Sequence, residues 1–462
     1  MTAPAHARAL PHTLGRPLTA MEAHLTVWRI AWPLVLTFAL MTTNSILDRV
    51  FVGSLGPHAL AAVGVGGQVM FVVMAMSMAI TVGTTALVAR FTGAEEPENA
   101  ERAAGQSIAL AAVIGAVTVA GLFLGLGALL KGMGVYGRPA QECRDFLAFA
   151  LPGTIPGNVG AVLSAAFRGI GDTRTPLKVM LAANAVHILG DWTLMLGHWG
   201  APRLELRGGG MAMSSSMVVS LILYLVILRR SPLKGCLRMR HLKPTLHWGW
   251  RVMRIGIPAA VSALVRTTSM LGFTSILART PQGMNAVAAL PIGLTAESIA
   301  FMPGLGYSMA ASALVGQALG AKNLKNAERL GWFAAYQGVA LVTIMGVVFF
   351  LAAEPFARII SKDPAVVAIA ADYLRIMAIS EPMLGFGMIL TGALQGAGDT
   401  VRPTVATAIS FWVFRIPLTW AMALGIGMGS RGAWIAMSAT TVLSGILAIA
   451  LFRDRKWQKA RV

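Results

Sequence analysis

Three titratable residues stand in stretches of the chain that are otherwise apolar. Asp48 lies near the end of one apolar run, and His187 and Asp191 lie four residues apart in another. Because residues four apart share one face of a helix, His187 and Asp191 are predicted to lie side by side. Two carboxylates that meet in an apolar setting cannot both stay ionised at low cost, and a histidine titrates close to neutral pH. If the three residues meet, they have the chemistry to load and release a proton.

The same residues also fit a metal ion or a structural role. The carboxylates of Asp48 and Asp191 are ligands for a hard cation, so Na⁺ is an alternative to the proton. Structurally, Asp48 can pair with the adjacent Arg49, and His187 can bond Asp191 to lock a bend. Inside a membrane helix each charge costs on the order of 2.5–3.5 kcal/mol, so a shared role in ion coupling is favoured.

The second half of the chain carries charges of its own inside apolar runs. They are two acids and two arginines: Glu297, Glu381, Arg266 and Arg415. We expect the acids to pair with the arginines and so to compensate buried charge. The alternative is that the acids recognise a cationic substrate.

Methionine supplies a softer signal of ligand binding. The chain has 26 methionines, and thioethers make flexible, polarisable walls for varied ligands. Met70 and Met74 are candidates, although ordinary helix packing accounts for any one methionine equally simply.

The elements that must position these residues are membrane-spanning helices. Hydrophobic residues make up 56% of the chain and charged residues 12%, against about 25% charged in soluble domains. Windows of about 20 residues identify twelve spans. They lie near 27–52, 59–89, 104–130, 146–168, 177–197, 209–228, 251–279, 286–318, 330–352, 372–396, 403–424 and 431–452. The sequence therefore predicts an all-α integral membrane protein with twelve transmembrane helices.

The chain contains an internal repeat. Residues 85–102 resemble residues 312–329, and residues 167–176 resemble residues 394–403, both at an offset of 227 residues. In the second pair, glycines can end one helix, and Thr175 and Pro176 can begin the next. One shared offset between two distant pairs indicates duplication of a unit of roughly 200 residues, a length typical of transporter repeats. Six predicted spans fall in each copy.

The net charge of +19 is distributed along the chain in a way that indicates membrane topology. Most of the 38 lysines and arginines fall on one side of the predicted spans, most densely in 229–254, so the positive-inside rule places both termini in the cytoplasm. This side is also expected to contact anionic lipid heads, whereas nothing gathers the charge into a nucleic-acid surface. Cys143, in a predicted external loop, and Cys236, in the internal linker, are too far apart for a disulfide.

Several motifs together resemble the multidrug and toxic compound extrusion (MATE) family, over almost the whole chain. They are Leu47-Asp48, 52–56, 59–63, 87–94, 168–176, 314–321 and 395–400. The resemblance implies two six-helix lobes around a central cleft. It further implies a secondary antiporter, with no enzymatic activity and no cofactor. Such a protein exchanges external H⁺ or Na⁺ for cytoplasmic organic, often cationic, compounds.

The spans and the charge distribution give an organisation for the chain. It has a cytoplasmic tail over 1–26, a first lobe over 27–228 and a basic linker over 229–250, and the resemblance adds an inner-membrane monomer. A second lobe then covers 251–452, and a second cytoplasmic tail covers 453–462.

The DinF-like branch of the family is the closer match at the coupling site. It implies ligands at Asp48 on span 1, at Asp191 and His187 on span 5 and, through a hydroxyl, at Ser215 on span 6. His187 stands where the branch has asparagine, and imidazole binds Na⁺ less well than an amide oxygen, so H⁺ is favoured at this site. Asn184, one turn away, can assist.

The NorM-like branch uses a glutamate on span 7 instead. Aligned from Pro258, the matching position here is Arg266, which argues against that site.

Two other kinds of transport protein compete with this interpretation. A flippase for lipid-linked sugars is expected to have an arginine-rich cleft, but only Arg266, Arg375 and Arg415 lie within spans. A channel is expected to show a selectivity filter or a ring of charges, and the sequence has neither. No nucleophile, metal-ligand or phosphate-loop pattern indicates an enzyme.

Overall fold

The computed structural model describes residues 14–460, and over these residues every regular element is helical. The long helices are α1 Ala20–Ser54, α2 Pro57–Gly93, α3 Pro97–Gly132, α4 Gly137–Gly169, α5 Arg174–Gly190, α6 Glu205–Leu228, α7 Leu246–Leu277, α8 Gly283–Gly320, α9 Leu324–Leu351, α10 Pro364–Gly396, α11 Val401–Gly425 and α12 Gly429–Arg453. The predicted all-α fold with twelve long helices is confirmed.

Eleven of these helices are long and apolar enough to cross a membrane by themselves. The other one, α5, has 17 residues and continues without a break into a π-helical turn, Asp191–Met195. Helix α11 likewise includes the π-helical segments Ile409–Arg415 and Ala421–Gly425. Such π turns often mark functional sites, and they occur here in corresponding helices of the two repeats.

The repeated glycine motifs end α4 and α10 as predicted. Gly171 and Gly398 have φ angles of 83° and 86°, which glycine adopts without strain. The start of α5 differs from the prediction, because Thr175 is not the cap. Instead, the carboxylate of Asp172 accepts hydrogen bonds from the backbone N–H and the hydroxyl of Thr175, at 3.0 and 2.7 Å. A carboxylate satisfies a free N–H at a helix start well, and it also favours the helix dipole.

The chain forms two compact units whose boundaries fall inside helices. The first unit contains Leu40–Gly256, and the second contains Leu14–Ala39 together with the residues from Ile257 onwards. Helices α1 and α7 therefore contribute residues to both units. The predicted lobes, 27–228 and 251–452, stay a prediction.

A buried side-chain amide holds the segment before α1 in the second unit. Asn326, in the first turn of α9, donates from Nδ2 to the carbonyls of Leu14 and Arg16 at 2.9 and 2.7 Å. Its Oδ1 accepts from the N–H of Leu18 at 3.0 Å. We call this the N-terminal clamp.

The linker before α7 is held in the same way in the first unit. Gln106 of α3 donates from Nε2 to the carbonyls of His241 and Lys243 at 2.7 and 2.6 Å. Its Oε1 accepts from the N–H of Thr245 at 2.8 Å. We call this the linker clamp.

The two clamps obey the offset of the internal repeat. The residues bound by the two clamps are 227 positions apart: Leu14 corresponds to His241, Arg16 to Lys243, and Leu18 to Thr245. In the first two pairs the backbone carbonyl accepts from the clamping amide, and in the third the backbone N–H donates to it. Each leading segment is thus bound by the third helix of the other repeat. The amides themselves are not at equivalent positions. Gln106 lies two turns further along its helix than the counterpart of Asn326, on the same helix face.

Both described cysteines are free and buried. Cys236 lies in the linker, as predicted. Cys143 was predicted in an external loop, but it lies inside α4, because that helix begins at Gly137.

Candidate functional site

The first unit brings the three predicted ion-coupling residues together. One ligand atom from each of Asp48, His187 and Asp191 lies within 4.8 Å of the others. His187 Nε2 is 3.6 Å from Asp191 Oδ2. Asp48 comes from the end of α1, His187 from α5, and Asp191 begins the π-helical turn that follows α5.

Asn44, which was not among the predicted coupling residues, completes the group. Its Nδ2 lies 3.1 Å from His187 Nδ1 and 3.4 Å from Asp48 Oδ2. With the Asn44 amide in this orientation, Nδ2 donates to Nδ1 of His187, which places the proton of the neutral ring on Nε2, facing Asp191. The signal was available, since Asn44 and Asp48 lie four residues apart on one helix face.

Asp48 therefore faces Asn44 rather than Arg49. The ion pair between Asp48 and Arg49, considered from the sequence, is not what positions this carboxylate.

Close packing of α6 holds Asp191 in place. A Cβ at Gly208 would lie 2.4 Å from the carbonyl oxygen of Leu194, and one at Gly209 would lie 2.5 Å from Met195 Cε and 3.8 Å from Asp191 Oδ1. Only glycine lets the two backbones approach this closely. The π-helical turn is thus pressed against α6, and Asp191 is 1% exposed.

The carboxylates of this group are short of hydrogen-bond donors, since His187 Nε2 is 3.6 Å from Asp191 Oδ2, beyond hydrogen-bond distance. Among residues 14–460, no N–H or O–H group of another residue type donates to either oxygen of Asp191 or to Oδ1 of Asp48, although all three oxygens are buried. A buried carboxylate oxygen without a donor is costly, and such groups usually bind a proton, a cation or water. Carboxylate oxygens are also the ligands that a hard cation such as Na⁺ prefers, so the residues present fit that ion as well.

Two other predicted coupling residues stand apart from this group. Asn184 is half-buried and donates to the carbonyl of Leu40 at 3.4 Å, which links α5 to α1. Ser215 is exposed, whereas Ser216 is buried and lies on the α6 face of Ala212, which packs against Gly190. The structure does not bring Ser215 to the three titratable residues, and its role stays a prediction.

In the second unit, the predicted arginines meet at an aromatic ring. Arg415 is 4% exposed, and its guanidinium donates to the hydroxyls of Thr440 and Thr441 at 2.9 and 3.0 Å. It also lies 4.0 Å from the centre of the Phe411 ring, and Arg266 lies 5.7 Å from the same ring. Hydroxyls and a π face satisfy Arg415 without a carboxylate.

The predicted acids lie near these arginines but form no direct ion pair with them in the described part of the chain. Glu297 is within electrostatic range of Arg415 and Tyr373, and Glu381 is within range of Glu297. Glu297 Oε1 and Glu381 Oε2 are buried without a hydrogen-bond partner among residues 14–460. Direct pairing is therefore not observed, because Arg415 is engaged by hydroxyls. Compensation at longer range stays a prediction.

The two candidate methionines differ in their surroundings. Met70 is half-buried against the core between α2 and α4, whereas the side chain of Met74 is 63% exposed. Their role in substrate binding stays a prediction.

Known proteins resemble this chain over nearly its whole length. A probable multidrug resistance protein NorM of Thermotoga maritima is 30% identical over 438 residues, covering 94% of this chain and 93% of the relative. An uncharacterized transporter, YisQ, of Bacillus subtilis is 24% identical over 439 residues, covering 94% of each.

The fold is shared with solved structures. A MOP superfamily transporter from Pyrococcus furiosus superposes with a TM-score of 0.88 at 22% identity, covering 97% of this chain and 98% of that one. The MatE family model matches residues 33–193 and 258–421, one match in each repeat. The chain therefore belongs to the MatE family of membrane transporters.

Proposed function

We propose that this transporter is a secondary active antiporter that exports organic cations from the cytoplasm in exchange for external protons. The observation that carries the proposal is the group formed by buried Asp191 with half-buried Asp48 and His187. In residues 14–460 no lysine or arginine forms an ion pair with either carboxylate. Acids kept in an apolar helix bundle without a fixed cation are typical of proton or cation pathways.

A proton supplies what the group lacks. With both carboxylates ionised, their oxygens can only accept, and the buried oxygens of Asp191 have no donor. A proton on either carboxyl becomes that donor and removes one of two facing negative charges. His187 can take a further proton, since its Nε2 faces Asp191.

Proton loading is linked to export through α1. In the outward-facing state, protons enter the group and neutralise it, which changes the contacts that Asn44 and Asp48 of α1 make with α5. The repacked first lobe then releases the exported compound, and the protons leave to the cytoplasm as the cycle returns.

Na⁺ is the alternative coupling ion. Oxygens of Asp48 and Asp191 would hold it, and the side-chain amide of Asn44 is a further source of oxygen. H⁺ is favoured because His187 occupies the position at which the DinF-like branch has an amide, and imidazole is a poor ligand for a hard ion. We propose the DinF-like branch for the coupling site because its acids are Asp48 and Asp191 and because Arg266 stands where the NorM-like branch has a glutamate, although several relatives are named NorM.

Cationic or amphipathic organic compounds are the proposed substrates. The relative from Thermotoga maritima is named as a probable multidrug resistance protein. In this chain, Glu297 and Glu381 offer negative charge, and Met70 and Met74 offer adaptable apolar surface. We further propose an inner-membrane monomer with both termini in the cytoplasm and the lobe boundaries given by the sequence. A lipid-linked oligosaccharide flippase is the rival function.

The test is export from proteoliposomes under an imposed pH gradient and, separately, under a Na⁺ gradient. We expect a fluorescent organic cation to move with the pH gradient, and Asp48→Asn and Asp191→Asn to abolish that movement. Asp145→Asn, which changes an acid paired with Arg207 away from the site, is the matched control. Transport at the wild-type rate in both Asp48→Asn and Asp191→Asn would show that these carboxylates are not the coupling site. Lipid scrambling without cation export would favour the flippase.

A further inference from the structure

A groove lies beside the linker clamp, between α3 and the start of α7. Its volume is about 370 Å³, and apart from Gln106 and Thr245 of the clamp its lining is apolar, with Leu110, Val113, Pro244 and Met253 among the residues. Leu246 and Trp250 also line it, and they are 92% and 60% exposed. An apolar groove with such exposed walls needs an apolar occupant.

Unpaired cations flank this groove. Lys243 immediately precedes its lining residue Pro244, and Arg254 lies one helical turn beyond Trp250; both are exposed and form no ion pair within the described residues. By contrast, Arg240 is 3.2 Å from Glu98.

The neighbouring acids are already engaged. Glu98 faces Arg240, and the carboxylate of Glu101 accepts from the N–H of Gly235 at 2.8 Å. Lys243 and Arg254 therefore have no carboxylate partner among residues 14–460. Their positive charge is complementary to an anion whose other end is apolar.

We propose that the groove binds one anionic phospholipid of the cytoplasmic leaflet. The acyl chain lies in the groove between α3 and α7, and the headgroup phosphate is bound by Lys243 and Arg254. Lysine and arginine side chains next to membrane helices attract anionic lipid heads, and tryptophan is typical of the membrane interface at which Trp250 would lie. Arg254 reaches the phosphate by extending along the helix surface.

The lipid would also stabilise the linker clamp. Gln106 and Thr245 belong both to the clamp and to the groove wall, so a bound chain shields their hydrogen bonds from water. The N-terminal clamp differs in its charges, because Arg16 is paired there with Glu22. Lipid dependence is accordingly expected for the linker clamp. This inference is independent of the coupling ion and of the exported compound.

The test uses the full-length protein in detergent, titrated with dioleoylphosphatidylglycerol or dioleoylphosphatidylcholine. Native mass spectrometry measures bound lipid, and the thermal midpoint measures stabilisation. We expect one phosphatidylglycerol to bind preferentially, and K243Q/R254Q to weaken that binding at least about tenfold. The double variant R229Q/R230Q makes the same charge change in the linker, outside the groove lining, and is expected to bind as wild type does.

A second variant tests the acyl-chain part without changing charge. Val113→Trp fills the groove from a side chain that is 53% exposed, so the fold is expected to tolerate it while the bound lipid is lost. Equal binding of the two lipids would overturn the proposal. Unchanged phosphatidylglycerol binding in both K243Q/R254Q and Val113→Trp would do the same.

Discussion

At the scale of single residues, Asn44 sets the proton position on His187. Its Nδ2 is the donor that faces Nδ1 of His187, at 3.1 Å. Asn44→Leu keeps the size of the side chain but removes the donor, so the ring is free to change tautomer. A lost hydrogen bond to a titrating group is worth about 1.4 kcal/mol, and we expect export driven by the pH gradient to fall about tenfold.

Asn44→Leu should reduce pH-driven export without lowering the thermal midpoint of the protein. Asn99→Leu, at a half-buried asparagine bonded to Glu96 away from the site, is the matched control. Asn44→Gln, which keeps an amide, should restore part of the pH-driven export. Full activity of Asn44→Leu at every pH would show that the ring needs no such partner.

Asp48, His187 and Asp191 were predicted from the sequence because charge in an apolar run stands out. Asn44 did not stand out, since an uncharged amide in a membrane helix has many structural uses. For the hydroxyl of span 6, the sequence cannot say which serine of 214–216 faces α5, because that depends on how the helix is placed. In the structure Ala212 packs against Gly190.

At the scale of elements, the contact between α6 and the π-helical turn positions Asp191. A Cβ at Gly208 would lie 2.4 Å from a backbone oxygen, which cannot move aside as a flexible side chain does. Gly208→Ala is therefore expected to cost about 1–3 kcal/mol of stability and to displace Asp191.

Two measurements separate this prediction from a general effect of alanine. Gly121→Ala on α3, where nothing lies within 4 Å, is the control and should leave the thermal midpoint unchanged or raise it. Gly208→Ala should lower the midpoint and reduce pH-driven export together. An unchanged midpoint and normal export would mean that the π-helical turn does not need this contact.

The linker clamp is a second element whose role can be measured, through Cys236. Burial, and next the negative charge of Glu101, raise the pKa of the Cys236 thiol to about 12, so the clamped thiol is unreactive. Gln106→Ala removes the bonds to the linker, and in a Cys143→Ala background maleimide labelling of Cys236 should rise about tenfold or more. Asn326→Ala, in the other clamp, should leave labelling unchanged. Equal labelling of Cys236 in the Gln106→Ala and Asn326→Ala variants would show that Gln106 does not hold the linker in place.

The same thiol predicts a pH dependence with a definite sign. Released from the linker site, it would titrate near the ordinary value of 9.0, whereas the clamped thiol keeps its proton to about pH 12. Below pH 9 both forms are protonated and pH has no effect on clamping. Between pH 9 and pH 12 only the released form ionises, so the clamped state loses stability as pH rises. Between pH 9 and pH 12, labelling of Cys236 should therefore rise more steeply than the ionisation of a clamped thiol alone would make it rise, because the released form also becomes more populated.

Helix spans and the internal repeat could be predicted because apolar length and sequence identity are local properties. The π-helical turns at Asp191–Met195 and in α11 could not, since they depend on packing against neighbouring helices. The two clamps could not be predicted from the sequence for another reason. Their bonds go to backbone atoms of segments that differ in sequence, so the shared offset becomes visible only in the hydrogen bonds.

At the scale of the whole molecule, the clamps lie just before the two helices, α1 and α7, that contribute residues to both compact units. The repeat predicts that each half contains its own six helices. In the structure, Leu14–Ala39 belongs to the second unit, and the unit boundary after Gly256 falls inside α7. Because each leading segment is bound by the third helix of the other repeat, α1 and α7 begin in one unit and end in the other.

The distribution of charge predicts how the molecule is inserted. The linker before α7 holds the densest run of lysine and arginine, so it should lie in the cytoplasm, and the segment between α9 and α10 should lie outside. Arg238→Cys and Lys362→Cys, both at exposed positions, report the two sides in a background with Cys143 and Cys236 replaced by alanine. In intact cells a membrane-impermeant maleimide should label Lys362→Cys at once and Arg238→Cys only after permeabilisation. The opposite labelling pattern would show that the orientation in the membrane is the reverse of the predicted one. Protons from outside the cell would then reach the Asp48 group from the side predicted here to be cytoplasmic.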